Sequence, residues 1–279
     1  MIHVKPNVQS SGRGPTVILL HSSGSSGRQW DTLVGSLQSR FRLQTVDFHG
    51  HGGTPAWPGG RPMSLEDEAA LFAPLLAAAP QGVHLVGHSY GGAMALKLAQ
   101  LHPQRVRSVA VYEPVLFRLL FDYNPLHSPA REVVLAAARI HTSLVVGQAD
   151  RAARQFVDYW SGDGTWEAMS LSRRHSVISR MPALAPHFRA LFDDGLRRAQ
   201  LGRLAMPVLC LTGARTRAST RRIGELLRLA LPGAVHEMLA GMGHMGPLTH
   251  PGVVAARIAG WLDTQAMLQD AGERLLAVA

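Results

Sequence analysis

The segment from Val83 to Leu101 reads VHLVGHSYGGAMALKLAQL and has a serine near its centre. Val83–Val86 is a short apolar run, typical of a buried strand, and Tyr90–Leu101 has the pattern of a helix. Between them, Gly87–Gly91 fits the pattern G-x-S-x-G. A sharp turn from strand to helix strains the serine, and flanking glycines remove side chains that would collide there. The segment therefore predicts that the Ser89 hydroxyl projects above the carboxyl end of a sheet and acts as a nucleophile.

Short strand-like runs alternate with longer helical patterns on both sides of this segment. Such alternation is typical of a parallel sheet with crossover helices. Ser64 predicts the start of a helix that runs to Ala79, because an acidic residue, Asp67, follows three positions later. We therefore predict an α/β fold with a mostly parallel central sheet and flanking helices. The predicted strands are Thr16–Leu20, Phe41–Phe48, Val83–Val86, Val106–Tyr112, Val208–Thr212 and Ala234–Leu239.

Strand signals almost vanish between residues 114 and 202. Helical patterns fill this stretch, at 131–142, 148–160, 166–179 and 184–196. A separate second domain would not explain why strands return after residue 202. The simplest interpretation is one core, 1–116 plus 201–279, with a helical insertion at 117–200 that follows the strand ending at Glu113.

Serine is a weak nucleophile at neutral pH and needs an adjacent base. The chain contains 14 histidines, so position must decide among them. His244 lies in the glycine-rich segment 241–246, directly after the last predicted strand, where a loop reaches the carboxyl end of the sheet. His88 is next to Ser89 in sequence, but on such a turn its side chain should point away. We therefore predict that His244 is the general base.

These motifs and their order resemble the α/β-hydrolase superfamily over essentially the whole chain. His21-Ser22-Ser23-Gly24 is similar to the family's oxyanion loop, with Ser22 in place of the usual glycine. The resemblance implies that the backbone N–H groups of Ser23 and Tyr90 form the oxyanion hole. It also implies that the helical insertion is a cap, and that segment 47–52 is structural.

The acid of the triad is not at the family's usual position. Most members of the family carry it as an aspartate in a Gly-x-x-Asp loop, after the strand that follows the cap. Here that loop, 213–219, has no carboxylate, and the next one is Glu225, inside the following helix. Glu113 ends the strand that follows the nucleophile helix, and certain haloalkane dehalogenases of the family carry their acid there. A histidine base needs a carboxylate that fixes its tautomer, so we predict that Glu113 is the acid.

Substrate contacts are harder to predict. Phe117, Phe121, Phe156 and Trp160 of the insertion are aromatic and suit an apolar pocket, although each could simply pack the insertion against the core. Arg215 and Arg217 follow the strand Val208–Thr212 and could attract an acidic substrate, or be solvated surface residues.

Other functions are less consistent with the sequence. The net charge is +9, but only two of the 28 basic residues are lysines and the arginines are scattered, so a nucleic-acid partner is not expected. His49 and His51 form an H-x-H pair, which leaves a metal-dependent hydrolase as an alternative, and a non-catalytic ligand-binding member of the fold is another. We expect a small-molecule substrate and no metal or other cofactor. The oligomeric state cannot be predicted.

The single cysteine, Cys210, excludes an internal disulfide and lies in an apolar run typical of a buried strand. Neither an N-terminal signal peptide nor a membrane span is apparent in the sequence. We therefore expect a soluble cytoplasmic protein.

Overall fold

The apolar runs of the sequence form one seven-stranded sheet within residues 4–278, which the computed structural model describes, with side chains up to residue 271. The spatial order is β1-β3-β2-β4-β5-β6-β7, and every neighbouring pair is parallel except β1 with β3. The strands are β1 Val8–Ser11, β2 Thr16–Leu20, β3 Arg42–Val46, β4 Val83–His88, β5 Val106–Tyr112, β6 Val208–Gly213 and β7 Val235–Leu239.

Helices cover both faces of this sheet. Those outside the β5–β6 connection are α1 Asp31–Leu37, α2 Leu65–Ala69, α3 Ala73–Ala77, α4 Tyr90–Leu101, α12 Ala218–Ala230, α13 Gly246–Thr249 and α14 Pro251–Val278. Side chains of β2 alternate between two cores. Ile18 and Leu20 pack in the core that includes α4 and α12, whereas Val17 and Leu19 pack in the core that includes α1 and α14. This double burial explains why the strand sequence is continuously apolar.

Seven helices connect β5 to β6. They are α5 Phe117–Tyr123, α6 Ser128–Val145, α7 Ala149–Ser161, α8 Thr165–Ala168, α9 Leu171–Ile178, α10 Met181–Asp193 and α11 Arg198–Leu201. Part of this segment has a small apolar core of its own, which includes Ile140, Val157 and Trp166. The helices therefore occupy the stretch in which strand signals vanish, and the division into core and cap stays a prediction.

The predicted α/β fold is confirmed, but several element boundaries are wrong. β2, α4 and β5 have the predicted bounds. The helix predicted from Ser64 does begin with a capping box to Asp67, yet it breaks into α2, a 3-10 turn and α3, with Pro74 at the start of α3. The pattern at 166–179 is two helices instead of one. β1 and α5 were not predicted; β1 reads VQSS, whose half-exposed pattern lacks an apolar run.

No helix in the described part of the chain is both long and apolar enough to cross a membrane.

Candidate active site

Ser89 lies at the turn from β4 into α4 and has a strained backbone. Its φ is 57° and its ψ is −116°, a conformation that non-glycine residues rarely adopt. Neighbouring glycines make the turn possible: a Cβ on Gly87 would lie 2.2 Å from the carbonyl oxygen of Gly91, and a Cβ on Gly91 would lie 2.3 Å from that of Leu20. Glycine is therefore required at both positions, as the motif predicts.

His244 lies on the loop after β7 and faces the serine. Its Nε2 is 2.9 Å from Ser89 Oγ. Two side chains hold this loop by donating to its carbonyl oxygens, His88 Nε2 to His244 O at 2.8 Å and the Tyr112 hydroxyl to Gly243 O at 2.7 Å. Burial lowers the pKa of His88 well below its usual value, so this ring stays neutral at physiological pH. His88 thus supports the histidine loop and does not contact the serine hydroxyl.

Glu113 follows β5 and completes a chain of hydrogen bonds. Its Oε2 lies 2.8 Å from His244 Nδ1 and also accepts from Thr216 Oγ1 at 2.8 Å, while Oε1 accepts from Gly213 N at 2.7 Å. The residue has a φ of 42° and is buried. Because a carboxylate only accepts, Nδ1 of His244 carries the proton, and the lone pair of Nε2 faces the Ser89 hydroxyl. This is the protonation that a general base needs.

The loop after β2 lies beside Ser89, since Ser22 and Ser23 line the same cavity as Ser89. The N–H of Ser22 donates to Gln29 Oε1, and that of Gly24 donates to His51 Nε2, each at 3.0 Å. Within the part of the chain that the structure describes, the N–H groups of Ser23 and Tyr90 donate no hydrogen bond. The two N–H groups that the family resemblance implies for an oxyanion hole are therefore available.

The cavity over Ser89 is narrow and mostly apolar, with a volume of about 20 Å³, room for roughly one water molecule. Trp160 stacks on the His244 ring with centroids 4.0 Å apart. The lining residues are Ser22, Ser23, Ser89, Val115, Phe117, Phe156, Trp160, Phe188, Leu191, His244 and Met245.

The predicted substrate residues lie in three different places. Phe117 and Trp160 line the cavity, as does Phe156. Phe121 instead packs beside Phe192, with ring centroids 5.6 Å apart. Arg215 is exposed on a separate cleft that Trp160 and His244 also border. The substrate role of all these residues stays a prediction.

A second, larger cleft of about 790 Å³ lies between the segment 57–63 and helices α6 and α10. Phe188 lines both this cleft and the cavity over Ser89. Sequence reasoning missed Phe188, because the pattern of α10 predicts a helix without showing which apolar residues face the core. Thr216, which holds Glu113, was missed for a similar reason: its role depends on a contact across 103 positions of the sequence.

The H-x-H pair is engaged in the structure. His51 Nε2 accepts from Gly24 N, and Nδ1 lies 2.9 Å from the carbonyl oxygen of His49. His49 Nδ1 lies 3.2 Å from the carbonyl oxygen of Pro55. Both ring nitrogens of His51 therefore already have backbone partners, which is unfavourable for a metal ligand. Among the described residues, no three His, Cys, Asp or Glu side chains form a group that could hold a metal ion.

Comparison with known proteins gives consistent matches over nearly the whole chain. A family model described as alpha/beta hydrolase fold matches residues 15–251. The chain is 30% identical to the pimeloyl-[acyl-carrier protein] methyl ester esterase of Chromobacterium violaceum, over 93% of this chain and 98% of that protein. It is also 30% identical to the enzyme of the same name from Methylococcus capsulatus, over 87% of this chain and 92% of that one.

Solved structures show the same architecture. A hydrolase from Pseudomonas aeruginosa superimposes with a TM-score of 0.74 and 25% identity, over 91% of this chain and 93% of that one. The enol-lactonase from Burkholderia xenovorans LB400 superimposes with a TM-score of 0.73 and 22% identity, over 93% of this chain and 97% of that one. The latter likeness concerns the fold alone.

Proposed function

Because this chain belongs to the α/β hydrolase fold family, we propose that it is a cofactor-independent serine hydrolase that cleaves carboxylic esters. The observation that carries the proposal is the hydrogen-bond chain from Ser89 through His244 to Glu113, with contacts of 2.9 and 2.8 Å. The esterases among its relatives support the same reaction class. A non-catalytic ligand-binding protein would have no need for the strained backbone of both Ser89 and Glu113.

The proposed reaction proceeds in two halves. Ser89 Oγ attacks the ester carbonyl carbon while its proton moves to His244 Nε2, and Glu113 stabilises the imidazolium. The N–H groups of Ser23 and Tyr90 bind the oxyanion of the tetrahedral intermediate. As the carbon–oxygen bond of the ester breaks, His244 gives the proton to the leaving alkoxide, and the alcohol departs. The acyl group remains bound to Ser89.

Water then repeats the sequence on the acyl-enzyme. His244 accepts a proton from the water molecule as its oxygen attacks the acyl carbon, and then protonates Ser89 Oγ as the carboxylic acid leaves. All the groups used are supplied by the chain itself. Four loops carry these groups: Ser23 follows β2, Ser89 and Tyr90 follow β4, Glu113 follows β5 and His244 follows β7.

A direct test is esterase activity of the purified protein with a chelator present. We expect hydrolysis of short p-nitrophenyl esters to persist in EDTA and to be abolished by a fluorophosphonate, with one label per chain on the peptide that contains Ser89. Loss of activity in EDTA together with resistance to the fluorophosphonate would contradict the proposal and favour the metal-dependent alternative.

We further propose a substrate that combines a small alcohol with a longer acyl group. The cavity beside Ser89 has room for a leaving group of about the size of water or methanol. The larger cleft beyond Phe188 has the volume of an ordinary ligand pocket and is lined by apolar residues such as Val134, Leu144 and Phe192. The relatives named as methyl ester esterases of an acyl-carrier protein conjugate support this combination.

Phe188→Ala should change the preference for acyl length. Because Phe188 lines both the Ser89 cavity and the larger cleft, removing its ring should widen the passage between them, so kcat/KM for methyl decanoate relative to methyl butyrate should rise by roughly tenfold. Phe192→Ala is the matched control, because Phe192 lines the larger cleft and does not line the Ser89 cavity. An unchanged ratio in Phe188→Ala, or the same increase in Phe192→Ala, would refute this acyl path.

A further inference from the structure

His187, a buried residue of α10, contacts both residues of the proposed oxyanion hole. Its Nδ1 lies 2.8 Å from Ser23 Oγ. Its ring stacks on that of Tyr90, with centroids 3.7 Å apart and planes within 1°. We infer that His187 is a positioning residue that holds the oxyanion hole from the helical insertion. The inference rests on the proposed function and adds to it, since none of the motifs involves this residue.

His187 is also held by a histidine outside the insertion. Besides Tyr90, its ring stacks on that of His51, with centroids 4.6 Å apart and planes at 11°. His51 accepts the N–H of Gly24, so the same stack reaches the residue that follows Ser23. The side chain of His187 is 1% exposed, so the contacts form in the absence of competing solvent.

Glu68 faces the second nitrogen of the ring. Its carboxylate is completely buried, accepts from His49 N and from the Tyr90 hydroxyl, and has Oε2 3.3 Å from His187 Nε2. This last contact is within the range of an ion pair, but its geometry falls short of a hydrogen bond. Burial raises the pKa of Glu68, whereas the contacts with His187 and His49 lower it by more, so the group is ionised.

An ionised Glu68 fixes the orientation of His187. The carboxylate requires a hydrogen on the facing Nε2, which directs Nδ1 towards Ser23. One further contact joins the same loop to the insertion: Arg180, directly before α10, donates to the carbonyl oxygen of Gly24 at 3.0 Å. Ser23 is thus held between the core and the insertion, which keeps its free N–H in place.

This arrangement connects the insertion to catalysis. α10 carries His187, which holds the oxyanion loop, and next to it Phe188, which walls the Ser89 cavity. A shift of α10 would therefore move the wall and the oxyanion loop together. Because a donor must lie close to the position of the developing oxyanion, a small displacement of Ser23 lowers turnover more than it weakens substrate binding.

The test is a double-mutant cycle with separate measurement of kcat and KM. We expect His187→Ala and Ser23→Ala each to lower kcat on a short p-nitrophenyl ester by about 10- to 100-fold, with KM changed less than about threefold. The double variant should lose no more than the larger single loss, since both substitutions remove the same contact. The inhibition constant of an alkylboronic acid, which forms a tetrahedral adduct on the serine, should rise in parallel with the loss of kcat.

Two more variants separate positioning from a general loss of structure. His187→Asn places an amide where Nδ1 stands and should recover part of the lost kcat. His175→Ala changes an exposed histidine of α9 and should leave kcat and KM unchanged. Ser23→Ala removes only a hydroxyl, so it remains informative even if His187→Ala does not fold.

The outcomes distinguish this inference from the proposed function. Unchanged kcat in Ser23→Ala, or additive losses in the double variant, would overturn the role of His187 while Ser89→Ala still abolished activity. If Ser89→Ala itself kept activity, the proposed function would be wrong instead.

Discussion

Replacing Ser89 by alanine should lower kcat for ester hydrolysis by about 10⁵- to 10⁶-fold. The proposed oxyanion hole and the cavity would remain, so a small residual rate above that of water is expected. No other hydroxyl lies within hydrogen-bond distance of His244 Nε2 among the described residues. The loss should appear in kcat, because the substitution removes a single oxygen atom and leaves the cavity walls in place.

The fold should survive this substitution, since alanine keeps the Cβ at the strained turn. The melting temperature of Ser89→Ala should therefore lie close to that of the unmodified protein. A fluorophosphonate should label the unmodified chain once and fail to label the variant, as measured by intact-protein mass spectrometry. Labelling that persists undiminished in Ser89→Ala would show that another residue is the nucleophile.

Ser108→Ala is the matched control for this experiment. Ser108 is another buried serine in contact with a histidine, His84 Nδ1, at 2.8 Å. It lies within β5 and does not line the cavity, and among the described residues no carboxylate pairs with its partner histidine. Ser108→Ala should keep both the label and the turnover. Reduced labelling in Ser108→Ala would mean that general damage to the sheet, and not loss of the nucleophile, explains the result for Ser89.

Much of the fold could be predicted because strands that are covered on both faces leave continuous apolar runs. β2, β4 and β5 are such strands, and their bounds follow from the sequence alone or differ by two residues. The strand–turn–helix at Ser89 leaves a signal of a different kind, since the close approach of Gly87 and Gly91 to other backbone atoms permits only glycine. A steric requirement for glycine at fixed positions can be recognised from the sequence alone.

The positions of His244 and Glu113 were predictable for a topological reason. Each follows a strand whose carboxyl end meets the same edge of a parallel sheet, so the chain order already limits which loops can face Ser89. The structure brings the three side chains into one hydrogen-bonded chain. Their catalytic roles stay predictions until turnover is measured.

The helical insertion shows where sequence reasoning stops. A helix can be predicted at α10 from its pattern, but the rotation of that helix about its axis depends on what packs against it. His187 and Phe188 are adjacent in sequence, yet His187 contacts Ser23 and Phe188 lines two cavities. The same holds for Glu68, whose burial on α2 could not be inferred from an acidic first turn that suggests only a helix start.

Glu113→Gln should lower kcat by about 10⁴-fold while leaving the fold intact. Glutamine keeps the shape of the side chain and an oxygen that can accept from Gly213 N. Its amide nitrogen, however, would donate to His244 Nδ1 and so favour the tautomer with the proton on Nε2. That nitrogen faces Ser89 and could then no longer accept the serine proton. The measurement is kcat on a p-nitrophenyl ester, with the melting temperature as the check on folding.

Glu225→Gln is the control for this variant. Glu225 is the first carboxylate after the loop where the family usually carries its acid, and in the structure it pairs with Arg222 on the exposed side of α12. Its substitution should leave kcat unchanged. Near-normal turnover in Glu113→Gln together with a large loss in Glu225→Gln would show that the acid has been assigned to the wrong residue.

A second substitution should restore part of the activity that Glu113→Gln loses. Thr216 stands at the last position of Gly213-Ala214-Arg215-Thr216, where the family usually has the aspartate of Gly-x-x-Asp, and its Oγ1 lies 2.8 Å from Glu113 Oε2. A carboxylate at position 216 would therefore lie near the oxygen that holds His244. We expect Thr216→Asp to recover at least about tenfold of the kcat lost in Glu113→Gln, because a restored acceptor favours the Nδ1–H tautomer. Recovery would show that His244 needs a carboxylate at this point and does not need the particular shape of Glu113. If the double variant folds and shows no recovery, the position of a carboxylate would not by itself explain the acid role.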